Sequence, residues 1–148
     1  MSRFRQFAVV VMAVLAVASQ ALAGEFGSAD EAKAMLEKAV AAIKADKAGA
    51  LDKFTKGEGG FKDRDLYPFC GGPDGNFTAH PKLVGKSLKE LKDKAGKALG
   101  EEMYAVAKEG TISEVSYMWP RPGSTDPVPK VSFVTKVGDQ VCAVGYYK

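Results

Sequence analysis

The sequence predicts an α+β domain in which a helical layer covers a five-stranded antiparallel sheet. Three observations carry this. Ala29 to Ile43 places apolar residues at helical spacing, Leu66 to Pro81 reads as strand, tight turn, strand, and the chain beyond Gly110 holds three runs of strand composition. The resulting order is one long helix, two strands, short helices and three strands. Helices and strands are therefore segregated along the chain rather than alternating, which favours an antiparallel sheet.

Each element has its own signal. Ser28 followed by Glu31 makes a capping box, and Met35, Leu36, Ala39, Val40 and Ile43 form one apolar stripe behind it. Asp46 and Gly49 suggest a break, after which Ala50 to Thr55 is a short second helix ending at Gly57. Gly57 to Asp65 is a charged, glycine-rich connection. Leu66 to Cys70 is the first strand, Gly71 to Asn76 collects the residues that turns demand, and Phe77 to His80 is the second strand, stopped by Pro81. Ser87 to Lys94 reads as a helical turn with Leu88 and Leu91 inward, and Gly100 to Glu109 as a further short helix. Ile112 to Trp119, Val131 to Val137 and Gln140 to Tyr147 complete the sheet. Gly138-Asp139 joins the last two in the Gly-first order of a type II′ hairpin. Pro120 to Pro129 contains four prolines and is expected to be a stiff, extended loop at one edge of the sheet.

The N-terminus points to export. Arg3 and Arg5 precede an apolar run from Phe7 to Val17, and Ala21-Leu22-Ala23 offers a cleavage site before Gly24. This is the pattern of a signal peptide over residues 1–23, with cleavage after Ala23. The run is shorter than the roughly 18 to 20 residues that span a bilayer. A periplasmic or secreted domain of residues 24–148 would remain. Losing Arg3 and Arg5 from 21 basic residues leaves 19 against 18 acidic ones, a balance that predicts no nucleic-acid binding. No second hydrophobic segment follows, so the chain is expected to lack a membrane relay of its own.

Cys70 and Cys142 are an even pair in an oxidising compartment, open to one disulfide or to two buried thiols. A bridge over a loop of about 70 residues would contribute on the order of 3 to 4 kcal/mol. The absence of CxxC and CxxCH spacing argues against a thioredoxin-type site and covalent haem. His80 is the only histidine, so a metal centre is not expected, nor is any cofactor. A Cys70–His80 nucleophile pair is conceivable but competes with Cys142, and no Ser-His-Asp pattern or phosphate loop is present, so the chain reads as a non-enzyme.

The polar groups that could recognise a ligand gather at strand ends. Tyr117 and Trp119 share a face of the third strand, Lys130 opens the fourth, and Tyr67, Phe69 and His80 belong to the hairpin. A small carboxylate needs such a mixture: a cation and imidazole or hydroxyl donors for the anion, aromatic walls for the apolar part. Each also has a plainer reading. His80 before proline can bond to backbone, Tyr117 and Trp119 can be core, and Lys130 can be a solvated edge residue.

The sequence resembles the single Cache domain family, type 2, a group of PAS-like extracytoplasmic sensor domains. The resemblance rests on Tyr67 and Phe69 before Asp74-Gly75-Asn76, on Ala79-His80-Pro81 with Val84-Gly85-Lys86, and on Asp93 with Gly96. It continues through Gly110 before Tyr117-Met118-Trp119-Pro120, Pro129-Lys130 with Ser132-Phe133-Val134, and the ending Ala143-Val144-Gly145-Tyr146-Tyr147. It implies strand order 2-1-5-4-3, which would seat Cys70 and Cys142 on neighbouring strands and favour their bridge. It implies a pocket on one sheet face for a small organic acid of the acetate, propionate, pyruvate or lactate class. His80, Tyr117 and Lys130 would be the polar contacts, with Tyr67, Phe69 and Trp119 as walls. A protonated His80 beside Lys130 would make binding fall as pH rises through the histidine range. Without a signalling segment of its own, the domain would act through a membrane sensor or periplasmic partner. The alternative is an accessory interaction module with a vestigial pocket.

Overall fold

The computed structural model describes residues 24–148, so the expected signal peptide lies outside the described residues. Helix α1 spans Ala29–Ala45 and opens with the capping box: Glu31 N–H donates to Ser28 Oγ, and Ser28 N–H donates to the Glu31 carboxylate. Asp46 ends α1 and also starts α2, Lys47–Lys56, by accepting from Gly49 N–H. The chain thus bends at Asp46 alone, and α2 begins three residues earlier than Gly49 suggested. Gly57, with φ of 70°, terminates α2 in the left-handed conformation that glycine adopts without penalty.

The sheet contains β1 (Pro68–Gly71), β2 (Phe77–Ala79), β3 (Ser113–Pro120), β4 (Pro127–Val137) and β5 (Gln140–Tyr147), all antiparallel, in the order β2-β1-β5-β4-β3. Order and fold class are those anticipated. Cys70 faces Cys142 directly across β1 and β5 and is bonded to it. Gly138 has φ of 58° while Asp139 does not take a positive φ, which gives the Gly-first hairpin turn its type II′ form.

Two further stretches differ from expectation. Part of the proline loop is strand: Pro127 and Pro129 extend β4 against β3, with Pro120 opposite Pro127. They can do so because β5 has ended at Tyr147, opposite Lys130, so no neighbour on that side requires their missing N–H groups. Ser87 to Lys94 is not helical. The N–H groups of Leu88 and Lys89 both donate to Gly75 O in the hairpin turn, which leaves one reverse turn, from Leu91 N–H to Leu88 O, capped by Ser87 Oγ. Leu88 still points inward and is buried.

The sheet separates two apolar layers. On one face α1 and α2 pack Leu36, Ala39, Ile43 and Phe54 against Cys70, Phe133, Cys142 and Val144. On the other, the short helix α3 (Leu99–Val106) and the 81–98 connection cover Phe69, Val115, Tyr117, Val134 and Ala143. The side chains expected to meet a ligand lie on this second face.

Candidate functional site

Alternation along the strands sets the site. Residue Lys130 of β4 stands directly between Tyr117 of β3 and Tyr147 of β5, so all three side chains project from one face. Phe69 of β1 lies in the same layer, opposite Ala143, and Tyr67 precedes it by two residues. Gly145 leaves the space that the Lys130 stem fills; a Cβ there would collide with Lys130 Cε and Ser132 Oγ.

Lys130 is only 1% exposed. Its Nζ donates to Tyr67 Oη at 3.1 Å and sits over four rings, 4.5 Å from the Tyr67 centroid, 4.9 Å from Tyr147, 5.6 Å from Phe69 and 5.9 Å from Tyr117. No acidic side chain pairs with it among the ion pairs of the described residues. Burial works against the ammonium, and its hydrogen bond to Tyr67 Oη and the four ring faces around it offset that cost. The result is a buried positive charge solvated by phenols and π faces, without an anionic partner among the described residues. Burial raises the Tyr117 and Tyr147 pKa values in turn, so both remain neutral phenols. Tyr117 Oη lies 2.8 Å from Ser132 Oγ, and Tyr147 Oη donates to Pro120 O.

His80 lies at the end of β2, packed against Phe77, Tyr67 and Phe69 with ring centroids 5.1, 5.5 and 6.2 Å away. Its Nδ1 accepts from Lys82 N–H at 2.9 Å, which leaves the proton on Nε2 and a free donor. Burial, then the charges of Lys130 and Lys82, push its pKa down to about 3. The expectation of a protonated His80 is therefore corrected: the imidazole is neutral at physiological pH and acts as a hydrogen-bond donor. A loss of binding on passing through the ordinary histidine range goes with it.

All six residues named from the sequence converge. Tyr67, Phe69, His80, Tyr117, Trp119 and Lys130 line one inner cavity of about 10 Å³, together with Phe77, Leu91 and Leu99. That is room for roughly one water molecule. Trp119 packs edge-on against Tyr117, 6.3 Å between centroids. A larger open pocket of about 550 Å³ adjoins it at the end of the sheet and shares Tyr67, His80 and Trp119 as a common wall. Asp93 fastens the cover: one carboxylate oxygen accepts from Met118 N–H at 3.0 Å and the other from Lys97 N–H at 2.9 Å. These bonds to backbone hold its pKa below the usual carboxylate range.

Tyr147, Ser132, Gly145 and Leu91 were not singled out as site residues. Tyr147 could have been found by pairing the last strand against Lys130, but Leu91 lies in an irregular connection that no periodicity marks. Cys70 is excluded as a nucleophile, since its sulfur is bonded to Cys142 on the opposite face of the sheet.

A family model described as Cache domain matches residues 32–147. Over 56 residues the chain is 39% identical to the methyl-accepting chemotaxis protein McpP of Pseudomonas putida; that stretch is 38% of this chain and 10% of the receptor, so the match spans about a tenth of the relative's length. A methyl-accepting chemotaxis protein from Vibrio parahaemolyticus has a similar structure, with a TM-score of 0.65 and 26% identity over 80% of this chain and 86% of that one. The periplasmic sensor domain of a chemotaxis protein gives 0.60 and 27% over 80% and 88%. A Cache chemosensory domain, solved to explain carboxylic acid recognition, gives 0.59 and 25% over 78% and 84%.

Proposed function

We propose, from the premise that this chain belongs to the Cache domain family, that it is an extracytoplasmic binding domain for a small carboxylate. Acids of two to four carbons, in the class of acetate, propionate, pyruvate or lactate, are the ligands the reading favours. The observation that carries it is the buried Lys130 ammonium, which lies among phenols and ring faces and forms no ion pair among the described residues. A carboxylate at Nζ would supply the missing charge, with His80 Nε2–H as second donor, Tyr117 and Tyr67 hydroxyls beside it, and Phe69 and Trp119 enclosing its carbon tail. The recognition of a carboxylic acid by a similar Cache domain supports the same class.

Sensor domains of chemotaxis proteins are what the chain resembles in structure. This favours a role in which the occupied domain reports to a membrane-bound sensor, after removal of residues 1–23 as a signal peptide. Residues 24–148 would then form the single functional unit, outside the cytoplasmic membrane and with no catalytic role.

The narrow inner cavity favours a second reading, an interaction module whose pocket stays shut. A thermal-shift screen of the oxidised protein against the four acids separates the two. A ligand present at about 100 times its dissociation constant should add near 2.7 kcal/mol, a rise of several degrees at this size. A flat screen with all four acids, accompanied by a stable complex with another periplasmic protein, would favour the interaction module.

A further inference from the structure

The inner cavity and the outer pocket differ in size in a way that bears on the ligand. The inner one, where Lys130 Nζ and His80 meet, holds about 10 Å³, whereas the outer one is already open at about 550 Å³, within the usual range for small-molecule sites. Tyr67, His80 and Trp119 line both. The outer pocket is walled by Phe54, Phe61, Leu83 and Pro120, and among the described residues no acidic side chain lines it. Lys62 and Lys82 are among its lining residues, and neither takes part in an ion pair among the described residues.

We propose that the site also accepts, and binds more tightly, carboxylates that carry an aromatic body: the carboxylate reaches Lys130 and His80 while the ring occupies the outer pocket. This rests on the carboxylate reading above and extends it. A two-carbon acid has to widen the inner cavity to reach Lys130, and it leaves the outer pocket to water. An aryl acid also covers the partly exposed Leu83, Trp119 and Pro120, and a ring set against the Trp119 indole favours edge and offset contacts. Of the three residues common to both compartments, Trp119 is the one that is partly exposed. Trp119 is half-buried near the end of β3, and its neighbours Pro122 and Ser124 lie in the exposed loop that follows.

Calorimetric titration of acetate and phenylacetate into the oxidised protein tests this, with Pro122→Trp and Ser124→Trp as partners to the wild type. Both positions line the outer pocket only, and both are exposed, so filling the pocket from there leaves the core untouched. Phenylacetate is expected to bind about 10-fold or more tighter than acetate. Both variants should erase that advantage while binding acetate as the wild type does, which also shows that they are folded. Equal affinity for the two acids in the wild type, or an advantage that survives both substitutions, overturns the extended site and leaves the carboxylate reading standing. Absence of binding by both acids at millimolar concentration overturns that reading and the extension with it.

Discussion

His80 is buried among Tyr67, Phe69 and Phe77 and lies near two ammonium groups, so protonating it costs more in the folded chain than in the unfolded one. Its folded pKa of about 3 lies below the unfolded value of roughly 6.5. Between these values the unfolded state binds more protons, and stability falls as pH falls; above pH 6.5 the effect vanishes. The protein is expected to lose about 3 kcal/mol through this group between pH 6.5 and 4, and His80→Gln should flatten that part of the profile in urea unfolding. For the same reason carboxylate affinity should be nearly constant from pH 6 to 8, a range in which neither His80 nor Lys130 changes charge. Residue types and their neighbourhood were legible in the sequence, and all six named side chains meet in one cavity. Their ionisation was not, because the His80 pKa depends on burial and on Lys130, which lies 50 residues away along the chain.

At the level of elements, the cover over the site depends on Asp93, which ties the 81–98 connection to β3 through Met118 N–H and shapes its own turn through Lys97 N–H. Truncation to Asp93→Ala leaves both donors unpaired. It should destabilise the fold by about 1–3 kcal/mol and weaken carboxylate binding as Leu91 and Trp119 lose their positions. Equilibrium unfolding together with a propionate titration measures both effects; unchanged stability would contradict the role given to Asp93. The helices and the three C-terminal strands could be read directly, since capping box, apolar stripe and alternation are local signals. Where the reading departed from the structure, tertiary partners decided. Gly75 O captures the N–H groups that a helix at Ser87 would need, and the end of β5 lets Pro127 and Pro129 join β4. Neither event leaves a mark within the segment itself.

Taken whole, the molecule uses the two faces of one sheet for different purposes. The α1 face holds the continuous apolar core and the disulfide, and the opposite face holds the buried cation with its aromatic cage. Cys70–Cys142 clamps β1 to β5 across a separation of 72 residues, so reduction should cost on the order of 3 to 4 kcal/mol. A urea midpoint that does not move with reductant would contradict this. Because the bridge lies behind the sheet from Lys130, reduction below the unfolding transition should leave carboxylate affinity largely intact. In the proposed function a carboxylate completes the Lys130 charge. The most direct test is calorimetric titration of acetate, propionate, pyruvate and lactate into the wild type and into Lys130→Met, which keeps the length of the stem and removes the charge. At least one acid should bind the wild type saturably, one molecule per chain, with affinity falling about 100-fold or more in the variant. No binding of any of the four by the wild type, or equal affinity in Lys130→Met, would contradict the account.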